Sequence, residues 1–225
     1  MSSEVISSLT SAGVCLIASP YLARLTLSVP DKDARRWWRG APAGRRRRAA
    51  TALVAVALGA LAGAAAGWGA LLPAFVLLAL TCAPLVVIDY ERHRLPNRLV
   101  FPLAGAGAAL LTLAAAEQDA WPHLLRAVEG GAAVFAVLFL LALISPRSFG
   151  FGDVKIGGVL GGYLGWAGWG YVYYGIFAGF LLGALVAVGI LISRRGTMKT
   201  AIPFGPTLIL GPLLVLAFDL VPSFA

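Results

Sequence analysis

Long apolar stretches alternate with short polar or basic ones along the whole chain. They fall at 4–29, 49–68, 70–89, 99–116, 127–145, 154–168, 171–192 and 203–221. About 20 residues of helix cross roughly 30 Å of hydrocarbon, so most of these stretches have the length of a membrane span. Helices satisfy their backbone groups internally, and the sequence lacks the in-out alternation of a β-barrel strand. The pattern predicts an all-α, polytopic helical membrane bundle of about eight transmembrane helices. The first stretch carries Ser and Thr but no basic segment before it, so it is expected to be retained and not cleaved as a signal peptide. The stretch after Asp153 is short and rich in glycine, and is expected to cross only in part.

Composition supports the pattern. Apolar residues make up 60% of the chain and charged ones 12%, which leaves little room for a separate soluble domain. The charge then orients the bundle. Lys32, Arg35, Arg36, Arg39 and the run Arg45–Arg48 fall in the loop 30–48, with Arg24 just before it. Arg92, Arg94, Arg98, Arg147, Lys155, Arg194, Arg195 and Lys199 fall in later connections on the same side of an eight-span bundle. Arg126, among Glu117, Asp119 and Glu129, falls on the other. Basic loops stay cytoplasmic, so both termini are expected outside the cytoplasm.

The formal charge of +8 raises nucleic acid as a partner, but the charge follows the topology rule loop by loop. No nucleic-acid partner is expected. Membrane lipids are: the Arg45–Arg48 run reads as a headgroup anchor, and Trp37 and Trp38 suit the same interface. Cys15 and Cys82 lie in separate apolar spans, and His93 and His123 in loops on opposite sides. Neither pair has metal-ligand spacing, so no metal site is expected.

Two polar islands interrupt this pattern. Asp89 closes one apolar run in VVIDYERHRLPNRLVFPL, and Asp153 opens another in SPRSFGFGDVKIGGVLGGYLGW. Ionisable groups beside hydrocarbon are costly and read as functional by default. Both lie toward the predicted cytoplasmic face, where a bundle can bring them together, and paired carboxylates that share a proton are the working parts of an aspartic protease. Asp153 at a helix start is equally an ordinary cap. Glu91 is a rival acid, although the neighbouring arginines favour a solvated ion pair. Asn97, after Pro96, can cap the following helix. Gly157, Gly161 and Gly165 repeat every four residues and are expected to let the Asp153 helix pack closely, against the helix ending at Asp89. Asp219 lies toward the opposite face with no acid near it.

Three segments in order, IDYERHRLPNRL, GFGDVKIGGVLGGYLGW and IPFGPTLIL, resemble the type IV prepilin peptidases, membrane aspartic proteases of the GxGD type. The resemblance covers roughly 80–221. It implies a division into N-terminal membrane helices with a short basic loop (1–68) and a GxGD peptidase membrane domain (69–225). It implies Asp89 and Asp153 as the catalytic pair, with Gly150, Gly152, Lys155, Glu91, Phe204 and Gly205 as substrate-binding candidates. The implied reaction removes the leader of a prepilin or pseudopilin at the bacterial cytoplasmic membrane, with no cofactor. Pilus or secretion assembly machinery would be a further partner. Bifunctional members carry a cytoplasmic loop with paired CxxC motifs, whereas VPDKDARRWWRGAPAGRRRRAA has no cysteine. A metal-supported N-methyltransferase domain is therefore not expected.

Two other classes stay open on the residues alone. A proton- or ion-coupled transporter would place its acids near the midplane, often in inverted repeats, and no convincing repeat is seen. An inactive membrane scaffold would keep the fold without the chemistry. For the loop Ala201-Ile202-Pro203-Phe204-Gly205-Pro206 there is a rigid helix-entry turn on one side, and on the other a wall of a substrate groove packed on the GFGD segment.

Overall fold

The computed structural model describes residues 3–31, 35–145, 150–193 and 203–222. Among them are eight α-helices and no strand: α1 (Ser3–Ser28), α2 (Arg45–Ala66), α3 (Leu72–Arg92), α4 (Asn97–Gln118), α5 (Trp121–Ile144), α6 (Phe151–Ala167), α7 (Trp169–Ile192) and α8 (Gly205–Phe218). Six of these, α1 to α5 and α7, are long and apolar enough to cross a membrane. α6 has 17 residues and α8 has 14. Each apolar stretch became one helix, so the chain is a polytopic helical bundle.

The boundaries that moved have local causes. α2 begins at Arg45, so the arginine run forms its first turn and not the preceding loop; Arg is a good helix former and its long side chain reaches outward. α5 starts six residues before its expected apolar span because Pro122 opens it in the first turn, where a missing N–H costs nothing. α3, α4 and α8 stop at His93, Asp119 and Asp219, each left-handed with φ near 50°. Polar residues of this kind tolerate that conformation better than branched ones.

α3 and α8 form the centre. Leu78, Leu85 and Ile88 of α3 and Leu208, Ile209 and Leu213 of α8 are fully buried. Tyr163 of α6 ties in by donating its hydroxyl to the Ala74 carbonyl at 3.0 Å and meeting Phe75 edge-on. α1 and α2 form a hairpin, in which Ser7 Oγ donates to the Gly63 carbonyl at 2.7 Å. Many large apolar side chains on the outer faces of α5 and α7 are exposed, among them Ile144, Tyr173 and Leu185, as lipid-facing positions would be.

The glycine stripe of α6 corrects one expectation. It closes on α5 and not on the helix that carries Asp89. A Cβ at Gly161 would lie 2.7 Å from the Gly130 carbonyl oxygen, and one at Gly158 would press on Phe135. Gly130 and Gly131 on α5 supply the complementary small surface.

The bundle has two chemically different ends. The end of α1 and the starts of α2, α4, α6 and α8 gather around the end of α3, together with most of the arginines. At the other end, Tyr171 donates to Asp219, which is exposed. There Arg126 donates to the last-turn carbonyl of Trp166 at 3.2 Å, a cation at a helix C-terminus.

Candidate active site

Asp89 sits one turn before the end of α3, at the basic end of the bundle. Its Oδ2 accepts the backbone N–H of Gly205 at 3.0 Å. Gly205 is the first residue of α8, whose N–H has no partner within its own helix, and the positive end of the helix dipole favours the carboxylate. A Cβ at position 205 would lie 2.7 Å from that same oxygen, so only glycine admits this approach.

Asp153 is held by the same device inside its own helix. It is the third residue of α6, and its Oδ2 accepts the N–H of Gly150 at 3.3 Å while its own N–H donates to the Gly150 carbonyl at 3.0 Å. Gly150 has no side chain to return the bond, so this is the acid half of a capping box. Each aspartate is thus fixed through Oδ2 by one glycine amide at a helix start. Among the described residues, neither Oδ1 accepts a hydrogen bond.

Both carboxylates are buried and line one cavity of about 530 Å³. Its walls are the turn His93–Arg98, the segment Gly150–Gly152 and the residues just after α1, Val29 and Pro30. The α3–α4 turn closes tightly on the start of α6: a Cβ at Gly152 would lie 2.9 Å from Leu95 Cβ. Asp153 lies ahead of the apolar part of α6 and outside the six membrane-crossing helices. Burial pushes its carboxyl up to about 7, the charge of Asp89 adds to the rise, and the Gly150 amide opposes it. Two carboxylates in one desolvated space resist ionising together.

The other residues singled out in the sequence are dispersed. Gly150 and Gly152 line the cavity and Gly205 touches Asp89. Phe204 turns toward α7, where its ring packs 4.9 Å from Phe180. Glu91 is exposed and pairs with Arg47 at 2.8 Å. Asn97 does not cap α4. Pro96 is the N-cap residue, and its carbonyl accepts the N–H of Leu99 and Val100. The Asn97 side chain is thereby freed, and its Oδ1 accepts Lys155 Nζ at 2.8 Å. That ammonium also lies over the Phe151 and Phe101 rings at 4.6 and 5.3 Å.

One part of the site had no signal in the sequence. Arg98 Nη1 donates to the Asp31 carbonyl at 2.7 Å, tying the end of α1 over the cavity. Nothing in the spacing of residues 67 positions apart announces such a bond. His93, which borders the cavity beside Asp89, was visible only as a loop residue. Among the described residues no three His, Cys, Asp or Glu side chains gather as a metal site would require.

The description of the type IV leader peptidase family matches residues 76–188, half of the chain, and that stretch contains both aspartates. The chain belongs to the type IV leader peptidase family. Relatives named prepilin leader peptidase/N-methyltransferase are similar to it. That of Aeromonas hydrophila is 34% identical over 166 residues, 70% of this chain and 52% of its own length. That of Pseudomonas putida is 33% identical over 148 residues, 63% of this chain and 49% of its own. That of Pseudomonas aeruginosa is 34% identical over 138 residues, 60% of this chain and 46% of its own. The chain spans about half the length of the curated relatives it matches. No solved structure matches it.

Proposed function

We propose that this chain is a membrane aspartic endopeptidase that removes the leader of type IV prepilins or pseudopilins. The observation that carries this reading is the pair Asp89 and Asp153, buried in one cavity at the basic end of a membrane bundle, each with one oxygen that accepts no hydrogen bond among the described residues. The family and the names of the relatives point to the same reaction.

In this reading Asp153 holds the shared proton and donates it to the scissile carbonyl oxygen. Asp89, ionised and stabilised by the start of α8, takes a proton from the attacking water. The tetrahedral intermediate collapses as the leaving amine takes up a proton from the pair. The glycine amides fix the two carboxylates before substrate arrives, and such preorganisation lowers the reorganisation needed in the transition state. Gly150, Gly152 and Gly205 act by allowing the backbone to approach.

The arginines at the aspartate end favour a cytoplasmic placement of the site, with both termini outside, in a bacterial cytoplasmic membrane. Residues 1–68 form an accessory hairpin that closes one wall of the cavity, and 69–225 form the peptidase domain. Lipid headgroups at the arginines, and pilus or secretion assembly machinery, complete the set of partners. N-methyl transfer, part of the relatives' names, is not part of the proposal, since among the described residues α1 and α2 are joined only by a short connection with one three-residue helical turn. The midplane acids of a transporter have no counterpart in a pair lying at one end of the bundle.

Co-expression with the prepilins encoded in the same genome tests the proposal, with mature N-termini read by mass spectrometry. Removal of the leader at the edge of the apolar helix is the expected result. Unprocessed prepilins with a chain that is expressed and inserted in the membrane would instead support the scaffold reading.

A further inference from the structure

A second hollow of about 360 Å³ runs along α4, α5 and α6, beside the aspartate cavity. On α4 it extends from Val100 to Leu111, about 16 Å at the rise of an α-helix. Its lining is apolar apart from Lys155 and the Tyr163 ring, and Phe101 and Val128, which border it, are more than half exposed.

Three features separate this groove from an ordinary lipid-facing surface. Ala104 and Ala108 on α4 line it at four-residue spacing, which lets another helix bring its backbone close. The groove also meets the aspartate cavity. Asn97 and Phe151 line the cavity, Phe101 and Lys155 line the groove, and the Lys155 ammonium reaches Asn97 and Phe151 across that border. Third, the ammonium has three N–H groups, one hydrogen bond to Asn97 and, among the described residues, no carboxylate partner. A second apolar groove between α5 and α7 has none of these connections.

We infer that the groove between α4, α5 and α6 seats the apolar helix of the substrate, and that Lys155 positions the extended stretch leading to the scissile bond. This rests on the leader-peptidase reading. That reaction needs a peptide bond beside the aspartates while the adjoining helix stays in the membrane, so the helix must lie in a groove that opens into the cavity. Any backbone that leaves the helix to reach the aspartates has carbonyls without a helical partner. The remaining N–H groups of Lys155 stand at the level where that stretch leaves the groove. Lys155 is therefore a positioning residue, and the groove a determinant of substrate class: an apolar helix with room for close approach on one face.

Photo-crosslinking and kinetics test this together. A benzophenone residue is placed at Ala108 in the groove, or at Leu185 on the outer face of α7, in the full chain carrying Asp153→Asn so that substrate binding is read without turnover. With a full-length prepilin in the same membrane, Ala108 should crosslink to the apolar helix of the prepilin and Leu185 should not. Crosslinks from Ala108 to phospholipid alone, or equal crosslinks from both positions, overturn the inference. In otherwise wild-type chain, Ala108→Trp, at an exposed position, should raise KM for full-length prepilin roughly tenfold, toward that for a leader peptide ending just past the scissile bond, with the loss in KM and not in kcat. Lys155→Met should raise the same KM. An Ala108→Trp chain with wild-type KM for full-length prepilin also overturns the inference. If wild-type chain cuts neither substrate, the peptidase reading falls, while the crosslink still decides the groove.

Discussion

Replacing Asp153 by Asn should make the protein more stable at alkaline pH, by an amount that the burial of the carboxyl sets. The carboxyl is raised from an ordinary value of 3.8 to about 7, by burial first and the Asp89 charge second. A raised value means that the folded protein holds this proton more tightly than the unfolded chain. Stability from Asp153 is therefore greatest at low pH and falls as pH rises from 3.8 through about 7. Each unit is worth about 1.4 kcal/mol, so the loss reaches roughly 4 kcal/mol by pH 8 and less than half of that by pH 5. Asparagine has no proton to lose, and its carbonyl oxygen can still accept the Gly150 N–H. For a chain of this size, 1 kcal/mol moves Tm by about 2–4 °C. Thermal unfolding in nanodiscs should show Asp153→Asn outlasting wild type by on the order of 10 °C at pH 8, with the gap much smaller at pH 5. Asp89→Asn should recover only part of the gap, because burial is the larger cause. Parallel pH profiles for wild type and Asp153→Asn would refute the picture of a desolvated, coupled carboxyl.

Gly205→Ala puts a methyl group 2.7 Å from Asp89 Oδ2, where the carboxylate can swing aside more easily than backbone can. Leader cleavage should fall at least about tenfold with little change in Tm, as expected of a displaced catalytic group; unchanged cleavage counts against the role of the α8 start. Arg47→Ala removes the Glu91 ion pair and the bond to Thr26 Oγ1, but the pair is partly exposed, so the loss by thermal or denaturant unfolding should stay within about 1 kcal/mol. Reporter fusions in 30–48 and in 193–201 should both report the cytoplasm, and a periplasmic signal from either would reverse the orientation.

The helices were legible because membrane crossing imposes a length, and each apolar run of suitable length became one helix. The aspartates stood out for a related reason: a carboxylate at the edge of hydrocarbon is costly enough to stand out without knowledge of its partner. Partner choice was not legible. Four-residue glycine spacing on α6 shows that a close neighbour exists, but only the matching Gly130 and Gly131 decide that it is α5. The Asn97 amide illustrates the same limit. Pro96 takes over the cap, and Lys155, 58 positions away, claims the side chain. Arg98 on the carbonyl of Asp31 and Gly205 on Asp89 are likewise tertiary bonds to backbone atoms, which leave no trace in residue type. Ala201 and Ile202, read as part of the last loop, lie outside the described residues, as do the loop cations Lys32, Arg147, Arg194, Arg195 and Lys199.

The central claim is that Asp89 and Asp153 act together on a leader peptide. Its most direct test is cleavage of a prepilin from the same genome by purified wild type, Asp89→Asn and Asp153→Asn, with equal amounts of membrane-inserted protein and products read by mass spectrometry. Wild type should release the leader, and each single variant should lose nearly all turnover, because the pair needs both an ionised and a protonated carboxyl. Substantial leader release by either variant would contradict the account.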